Sequence, residues 1–397
     1  MPAKLEKVKK VAVAYSGGLD SALCIKLLFE KYGAQEVLPV TVNVGLDEDE
    51  IEEARSKAEL LGVPWTMIEA TDEFANEWVA KAIQANSSYE GYPVATSMTR
   101  QLIAQKVAQF ALAHGCDAIC EGSTGKGNDQ YRMNNVFTLF APDLKVIVPV
   151  RDFNLTRAEE KRMSERYGIP YKAGIGDDRT MWCRSIGSGE VDNLTMQVPP
   201  EEYLWWVPPD RAPEEALELE IEFKKGVPVR CNGKRGLTTI IKWLNRTAGA
   251  HGVGKIDMIE DGMMGLKSRE AYEAPAAQVI LTLHRDLEHL CLTKEEVLFK
   301  HNVVDERWAY LVYHGAWFHP LKRELDAFIA ESQRHVSGRY KVRIYRGNID
   351  IVERDSAETL FSPEIRSLAT KGFDQRDAGP ATKIHAMPYK IMAKRGL

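Results

Sequence analysis

"VAVAYSGGLDSA", residues Val11–Ala22, decides the fold. Val11–Tyr15 is a short, mostly apolar run suited to a strand buried on both faces. Gly17 and Gly18 then allow a tight turn, and a helix-patterned stretch with Asp20 at its head runs on to Gly33. Adjacent glycines expose backbone N–H groups without an obstructing Cβ, and a helix N-terminus adds partial positive charge, so the arrangement is suited to holding phosphate. Ser16 and Ser21 supply hydroxyl donors, and Asp20 either caps the helix or helps to hold Mg²⁺ against the phosphates. The spacing fits neither G-x-x-x-x-G-K-[ST] nor G-x-G-x-x-G, which disfavours a Walker-type ATPase and a dinucleotide enzyme.

Outward from this loop, strand-like and helix-like segments alternate. Strands are predicted at 11–15, 37–44, 65–70, 117–122 and 145–150, and helices at 21–33, 47–62, 72–86, 98–114 and 156–168, the last with a Thr156–Glu159 capping box. Such alternation indicates a parallel sheet covered on both faces. Its ligands bind beyond the carboxyl ends of the strands, where Ser16–Asp20, Asn43 and Gly122 are expected to gather. From about residue 171 the pattern changes. Residues 199–216 are proline-rich, "LELEIEF" alternates strictly, and Lys224–Gly226 and Asn232–Gly233 read as hairpin turns. "VRIYRG" and "IDIVER" repeat this style near the end, so a second, antiparallel α+β domain is expected. Beyond 366 a polar stretch leads into "AMPYKIMAKRGL", which either docks on another subunit or frays. The expected division is 1–170, 171–365 and 366–397.

A chain of 397 residues exceeds one ordinary core, which agrees with that division. Its 44% apolar and 27% charged residues fit a globular protein, and a net charge of −5 argues against one that coats nucleic acid. No apolar run approaches the ~20 residues of a membrane span. The basic N-terminus leads into a strand rather than a signal-peptide core, so no export is read. Six cysteines without C-x-x-C fit thiols in a reducing cytoplasm.

A second loop, "EGSTGKGNDQYR" (121–132), follows a predicted strand. Gly122, Gly125 and Gly127 expose its backbone, and Lys126 can neutralise a phosphate. Thr124, Asn128, Asp129 and Arg132 place opposite charges side by side. A loop for phosphate alone has no need of Asp129, whereas an amino acid offers an ammonium for it and a carboxylate for the donors.

S-G-G-L-D-S resembles the pyrophosphate loop of the N-type ATP pyrophosphatases, which cleave ATP between the α and β phosphates. T-G-K-G-N-D-Q-x-R narrows the resemblance to the argininosuccinate synthase family. "YPVATSMTR" (92–100), "HGVGKIDMIED" (251–261) and "GLKSREAYEAP" (265–275) are similar to further family motifs, in family order along nearly the whole chain. The resemblance implies an ATP-pyrophosphatase-type parallel-sheet domain, an α+β synthetase domain and a C-terminal oligomerisation segment, assembled as a homotetramer. It implies adenylylation of citrulline by MgATP, attack by the aspartate amine and release of AMP, in arginine biosynthesis, with no resident metal site. ATP would be held by Ala14, Tyr15, Ser16, Gly17, Gly18, Leu19, Asp20, Ser21, Val42, Gly122 and Lys126. Aspartate would be held by Thr124, Asn128 and Asp129; citrulline by Tyr92, Ser97, Asn128, Arg132, Ser185, Glu260 and Tyr272. Ser16, Asp20 and Asp129 would carry the chemistry. Asp129 is the nearest base by motif for the aspartate ammonium, although holding the substrate is its more natural task.

Some positions depart from the family pattern. Ala22 lacks an expected hydroxyl, Glu121 stands for a histidine, and Asn134 falls where glutamate is usual. Gly176, Thr180 and Gly187 replace serine, asparagine and glutamate, and Gly262 replaces arginine. These changes cluster on the citrulline side. They leave open a diverged paralogue that adenylylates another amide, ureido or carboxyl substrate. A tRNA-modifying pyrophosphatase is disfavoured by the acidic balance, and a non-catalytic sensor by the presence of both loops.

Overall fold

Lys10–Ala14 (β1) pairs in parallel with Glu36–Asn43 (β2) on one side and Ala118–Cys120 (β4) on the other. Thr66–Glu69 (β3) and Lys145–Ile147 (β5) complete a five-stranded sheet of order β3-β2-β1-β4-β5. The computed structural model describes residues 7–171, 176–187 and 189–396, with the side chain of Glu190 excepted. The start of the expected first domain and the stretch just after its expected end lie outside these residues. In the sheet, strand order reverses between β1 and β4, which opens the crevice where open parallel sheets bind ligands.

Helices enclose the sheet. Leu19–Leu27 (α1) follows β1 directly, and the helical run ends at Gly33, whose φ of +70° is readily adopted only without a side chain. Glu48–Leu60 (α2) starts with a capping box formed by Asp47 and Glu50. Thr96–Ala113 (α3), Asp129–Phe140 (α4) and Arg157–Tyr167 (α5) follow, the last with the expected Thr156–Glu159 box. The expected fifth strand stops early at Ile147, because Pro149 has no N–H for the ladder and instead opens the short helix Pro149–Asp152.

The second half is antiparallel, as the alternation predicts. Gly176–Arg179 (β6), Arg184–Gly187 (β7), Lys255–Asp261 (β11) and Lys267–Glu273 (β12) form a sheet of order β11-β12-β7-β6. Leu217–Lys224 (β8), Val227–Cys231 (β9), Lys234–Arg235 (β10), Gly338–Tyr345 (β13) and Asn348–Asp355 (β14) form the other. Lys225–Gly226 and Asn232–Gly233 turn its hairpins with positive φ. Pro275–Cys291 (α6) and Glu306–Tyr313 (α7) pack in this half. Ala378–His385 (α8) and Met387–Lys394 (α9) bury none of their residues.

One hydrophobic cluster runs from β2 and α3 through α6 to β13, so the halves share a core. A buried polar network crosses the same junction. Glu288 of α6 accepts from Asn86 at 2.6 Å and from His301 at 2.7 Å, with Lys300 at 2.9 Å. The Lys300 ammonium also meets Asp305 at 2.7 Å. Removing one partner from a buried pair strands the other, at a cost of ~3–5 kcal/mol. Glu288→Ala is therefore expected to lose about that much stability in urea unfolding; a change below ~1 kcal/mol would show the network contributes little.

Candidate active site

The loop after β1 is built so that its backbone faces outward. Gly17 has φ +76°, and an added Cβ would lie 2.6 Å from the Ala54 Cα of α2. Lys57 of α2 donates from Nζ to the Gly17 carbonyl at 2.8 Å, fixing the turn from behind. The hydroxyls of the loop are spent internally: Ser16 Oγ accepts from Gly18 N at 3.2 Å, and Ser21 Oγ donates to the Gly18 carbonyl at 3.1 Å. Asp20 is ion-paired with Arg157 at 2.6 Å. Gly122 lies against the backbone of Asp20 and Ser21, so the two glycine loops meet across the β1–β4 crevice.

A single cavity of about 690 Å³ extends from these loops to the β11-β12-β7-β6 sheet. It is lined by Ala14, Tyr15, Ser16, Gly17, Gly18, Asp20, Ser21, Val42 and Gly122 at one end. Thr124, Asn128, Asp129 and Arg132 form its middle, and Tyr92, Ser185, Glu260 and Tyr272 its far wall. Three expected residues do not line it. Leu19 opens α1 and packs against the core, and Lys126 is exposed on its loop. Ser97 is fully buried, with an Oγ that has no hydrogen-bond partner. Asn43 is at its strand end as expected, but its side chain accepts from Gly45 and Leu46 N–H and shapes the β2–α2 turn.

Electrostatics divide the cavity. Asp129 Oδ2 meets Arg100 Nε at 2.7 Å and Oδ1 meets Arg132 Nη1 at 3.0 Å. Burial works against its charge, yet the two guanidinium groups outweigh burial and hold the carboxyl below its usual pKa. The other side of Arg100 meets Asp178 of β6 at 3.0 Å. Glu260 of β11 accepts from Tyr272 at 2.7 Å and from Tyr313 at 2.6 Å. Tyr313 also accepts from Asn128 Nδ2 at 3.0 Å, and its ring stacks on Tyr89. Tyr92 stacks on Tyr272, and its hydroxyl accepts from Ala95 and Thr96 N–H at the start of α3.

Arg100, Asp178, Tyr313 and Glu270 line this cavity without having been singled out from sequence. Arg100 ends the "YPVATSMTR" motif and was legible there. Tyr313 follows an apolar helical run far from any motif, and only tertiary packing brings it in.

The departures have structural settings. Ala22 is on the buried face of α1, and Asn134 is on the exposed side of α4. Glu121 is buried and accepts from Ser123 N at 2.6 Å; burial raises its pKa against that bond. Thr180 Oγ1 donates to the Cys183 carbonyl at 2.9 Å and accepts from Trp182 and Cys183 N–H, so it builds the β6–β7 turn. A Cβ at Gly262 would lie 3.2 Å from Asn128 Oδ1, which already accepts from Met263 N.

Fold and cavity define a class of nucleotide-dependent enzyme in which a parallel-sheet module presents a glycine loop to a polar antiparallel sheet. Residues 10–170 match the arginosuccinate synthase N-terminal HUP domain, and residues 176–392 match the arginosuccinate synthase C-terminal domain. The argininosuccinate synthase of Methanopyrus kandleri is 43% identical over 98% of this chain and 100% of its own. That of Methanocaldococcus jannaschii is 46% identical over the same shares, and that of Pyrobaculum aerophilum 46% identical over 90% and 91%. The chain belongs to the argininosuccinate synthase family.

Gly17→Ala forces the loop off α2. It is expected to weaken nucleotide binding at least tenfold by calorimetry and to lower Tm by several degrees, while Gly127→Ala, with 3.6 Å of room to its nearest neighbour, stays close to wild type. Unchanged affinity in Gly17→Ala would show that this backbone does not hold the phosphates.

Proposed function

We infer that this protein is an AMP-forming carbon–nitrogen ligase that converts ATP, L-citrulline and L-aspartate to AMP, diphosphate and argininosuccinate, a step of arginine biosynthesis. The observation that carries this reading is one cavity joining a phosphate loop, an Arg-flanked carboxylate and a carboxylate wall, in a chain related to argininosuccinate synthases along nearly its full length. Ala14–Ser21, Val42 and Gly122 hold ATP, with Leu19 and Lys126 acting from outside the cavity wall. Mg²⁺ enters with ATP, and the cavity carboxylates of Asp20 and Asp49 support that reading.

Citrulline occupies the wall of Tyr92, Asn128, Arg132, Ser185, Glu260 and Tyr272, with Ser97 behind it. Its ureido oxygen attacks the α-phosphorus and diphosphate leaves, the departing charge being met by N–H groups of the Ser16–Asp20 loop. The aspartate amine then attacks the activated carbon, and AMP departs as the new C–N bond forms. Thr124, Asn128 and Asp129 hold aspartate. With Arg100 and Arg132 keeping it anionic, Asp129 serves as an ion partner rather than as a base. Positioning of three ligands in one cavity is most of the catalysis.

The test is purified protein with MgATP and L-aspartate, with and without L-citrulline, following diphosphate and argininosuccinate. Citrulline-dependent formation of both, one for one, is expected; diphosphate release that requires a different acceptor would overturn the reading.

We further propose the three-part division at 170 and 365, a cytoplasmic location consistent with six buried free cysteines, and a tetramer joined through the C-terminal segment. The exposed Leu368, Phe373, Ile384, Tyr389 and Ile391 support the tetramer, since apolar side chains in such a segment find cover on another chain. Truncation after residue 365 is expected to reduce the mass by light scattering below four chains; an unchanged four-chain mass would rule out the segment as the joint.

A further inference from the structure

The departures at Gly176 and Gly187 are one structural event. Gly176 pairs with Gly187 across β6 and β7, and Gly187 pairs with Glu270 across β7 and β12. The three residues therefore lie in one cross-strand row, on the face that also carries Glu260, Tyr272 and Ser185, because side chains on one face recur every second residue. Two adjacent positions in this row have no side chain. Glu270 leans into the gap: its Oε2 lies 2.5 Å from where a Cβ on Gly187 would be. A side chain at 187 is thus incompatible with Glu270 as placed.

Glu270 also faces the cavity. Its surroundings are poor in compensation. Ser268, two residues away on the same strand, favours its charged form. Glu260 of β11 and Asp192 of the 189–192 turn repel its charge, while Arg132 of α4 attracts it from a distance. Arg132 itself is committed, through Nε to the Tyr313 carbonyl and through Nη1 to Asp129. Glu260 has each oxygen engaged by a tyrosine hydroxyl. Among the described residues neither carboxylate of this wall has a cation paired to it, which makes the wall complementary to a ligand ammonium.

We propose that Glu270, reaching over the Gly176–Gly187 gap, binds the α-ammonium of the amino acid adenylylated at this wall, together with Glu260. This rests on the reading of that ligand as citrulline and adds a residue to it. Glu270 then takes over the acidic position vacated at 187 by approaching the same space from the neighbouring strand. Burial first, and repulsion by Glu260 second, push its carboxyl up to about 7, so in the free enzyme it is neutral in acid and charged above neutrality. The ammonium requires the charged form. Citrulline capture therefore falls as pH drops below about 7.

The experiment measures kcat/KM for citrulline from pH 5.5 to 9, at saturating MgATP and aspartate. Three proteins are compared: wild type, Glu270→Gln, and the exchange variant Glu270→Gly with Gly187→Glu. Loss of one charge-assisted contact is expected to raise the citrulline KM by roughly ten- to a hundredfold in Glu270→Gln, with the KM for ATP within about twofold and the acid limb near neutrality gone. The exchange variant is expected to recover at least tenfold of that loss. Melting curves for all three check that the variants fold. An active wild type with a Glu270→Gln variant that keeps both its citrulline KM and its acid limb overturns this inference alone. A wild type that makes no argininosuccinate from citrulline overturns the reading beneath it as well.

Discussion

The guanidinium of Arg100 sits between two carboxylates from different halves of the molecule, Asp129 at the start of α4 and Asp178 on β6. All three groups are only partly exposed, with 23%, 27% and 31% of their side-chain surfaces accessible. In such surroundings a charge is tolerable only when paired, so the parallel-sheet half and the antiparallel sheet are fixed relative to one another wherever these groups remain charged. The middle and far wall of the cavity depend on that joint. Asp129 is held by it, Arg132 is oriented through Asp129, and Arg132 in turn grips the carbonyl of Tyr313, whose hydroxyl reaches Glu260. A single chain of contacts thus runs from β6 through α3, α4 and α7 to β11. The wall and the middle of the cavity are set together rather than separately.

The glycine-loop end follows a different logic. There the side chains withdraw: the hydroxyls of Ser16 and Ser21 are used within the loop, Asp20 is turned to Arg157, and Lys57 holds the Gly17 carbonyl from behind. What remains for a ligand is backbone N–H, which needs no reorientation when negative charge arrives. This explains why the loop demands glycine at 17, where a left-handed backbone meets the Ala54 backbone, and tolerates alanine at 22, which is buried on the core face of α1.

Much of this was legible in the sequence, and the exceptions have a common cause. The five parallel strands, both glycine loops and the hairpins at Lys225–Gly226 and Asn232–Gly233 depend on local chemistry, namely glycine freedom, capping and alternation. They could be read residue by residue. The fifth strand ends three residues before its apolar run does, because the run conceals what Pro149 does to a ladder. Tyr313 is not announced by any local pattern, since its partners Glu260 and Asn128 lie more than fifty positions away. Ser97 shows the converse: its motif marks it, yet the structure buries it behind the wall with its hydroxyl unpaired.

The substitutions along the β6–β7 and β11–β12 wall illustrate why strand register changes the meaning of a sequence difference. Taken singly, Gly176, Gly187 and Gly262 each read as a lost contact, and their sum suggests a ruined pocket. In register, Gly176 and Gly187 become neighbours, and the space they leave is where Glu270 places its carboxylate. Gly262 lies against Asn128 Oδ1, so a bulkier residue there would press on an amide that also bonds Met263 and Tyr313. Thr180 gives up a longer side chain and gains three hydrogen bonds within its turn. A surface that is close-packed and charged cannot change at one position alone: a missing side chain leaves either a void or room for a neighbour. In the 176–187–270 row the neighbour is present, and it fills that room with a carboxyl group facing the cavity.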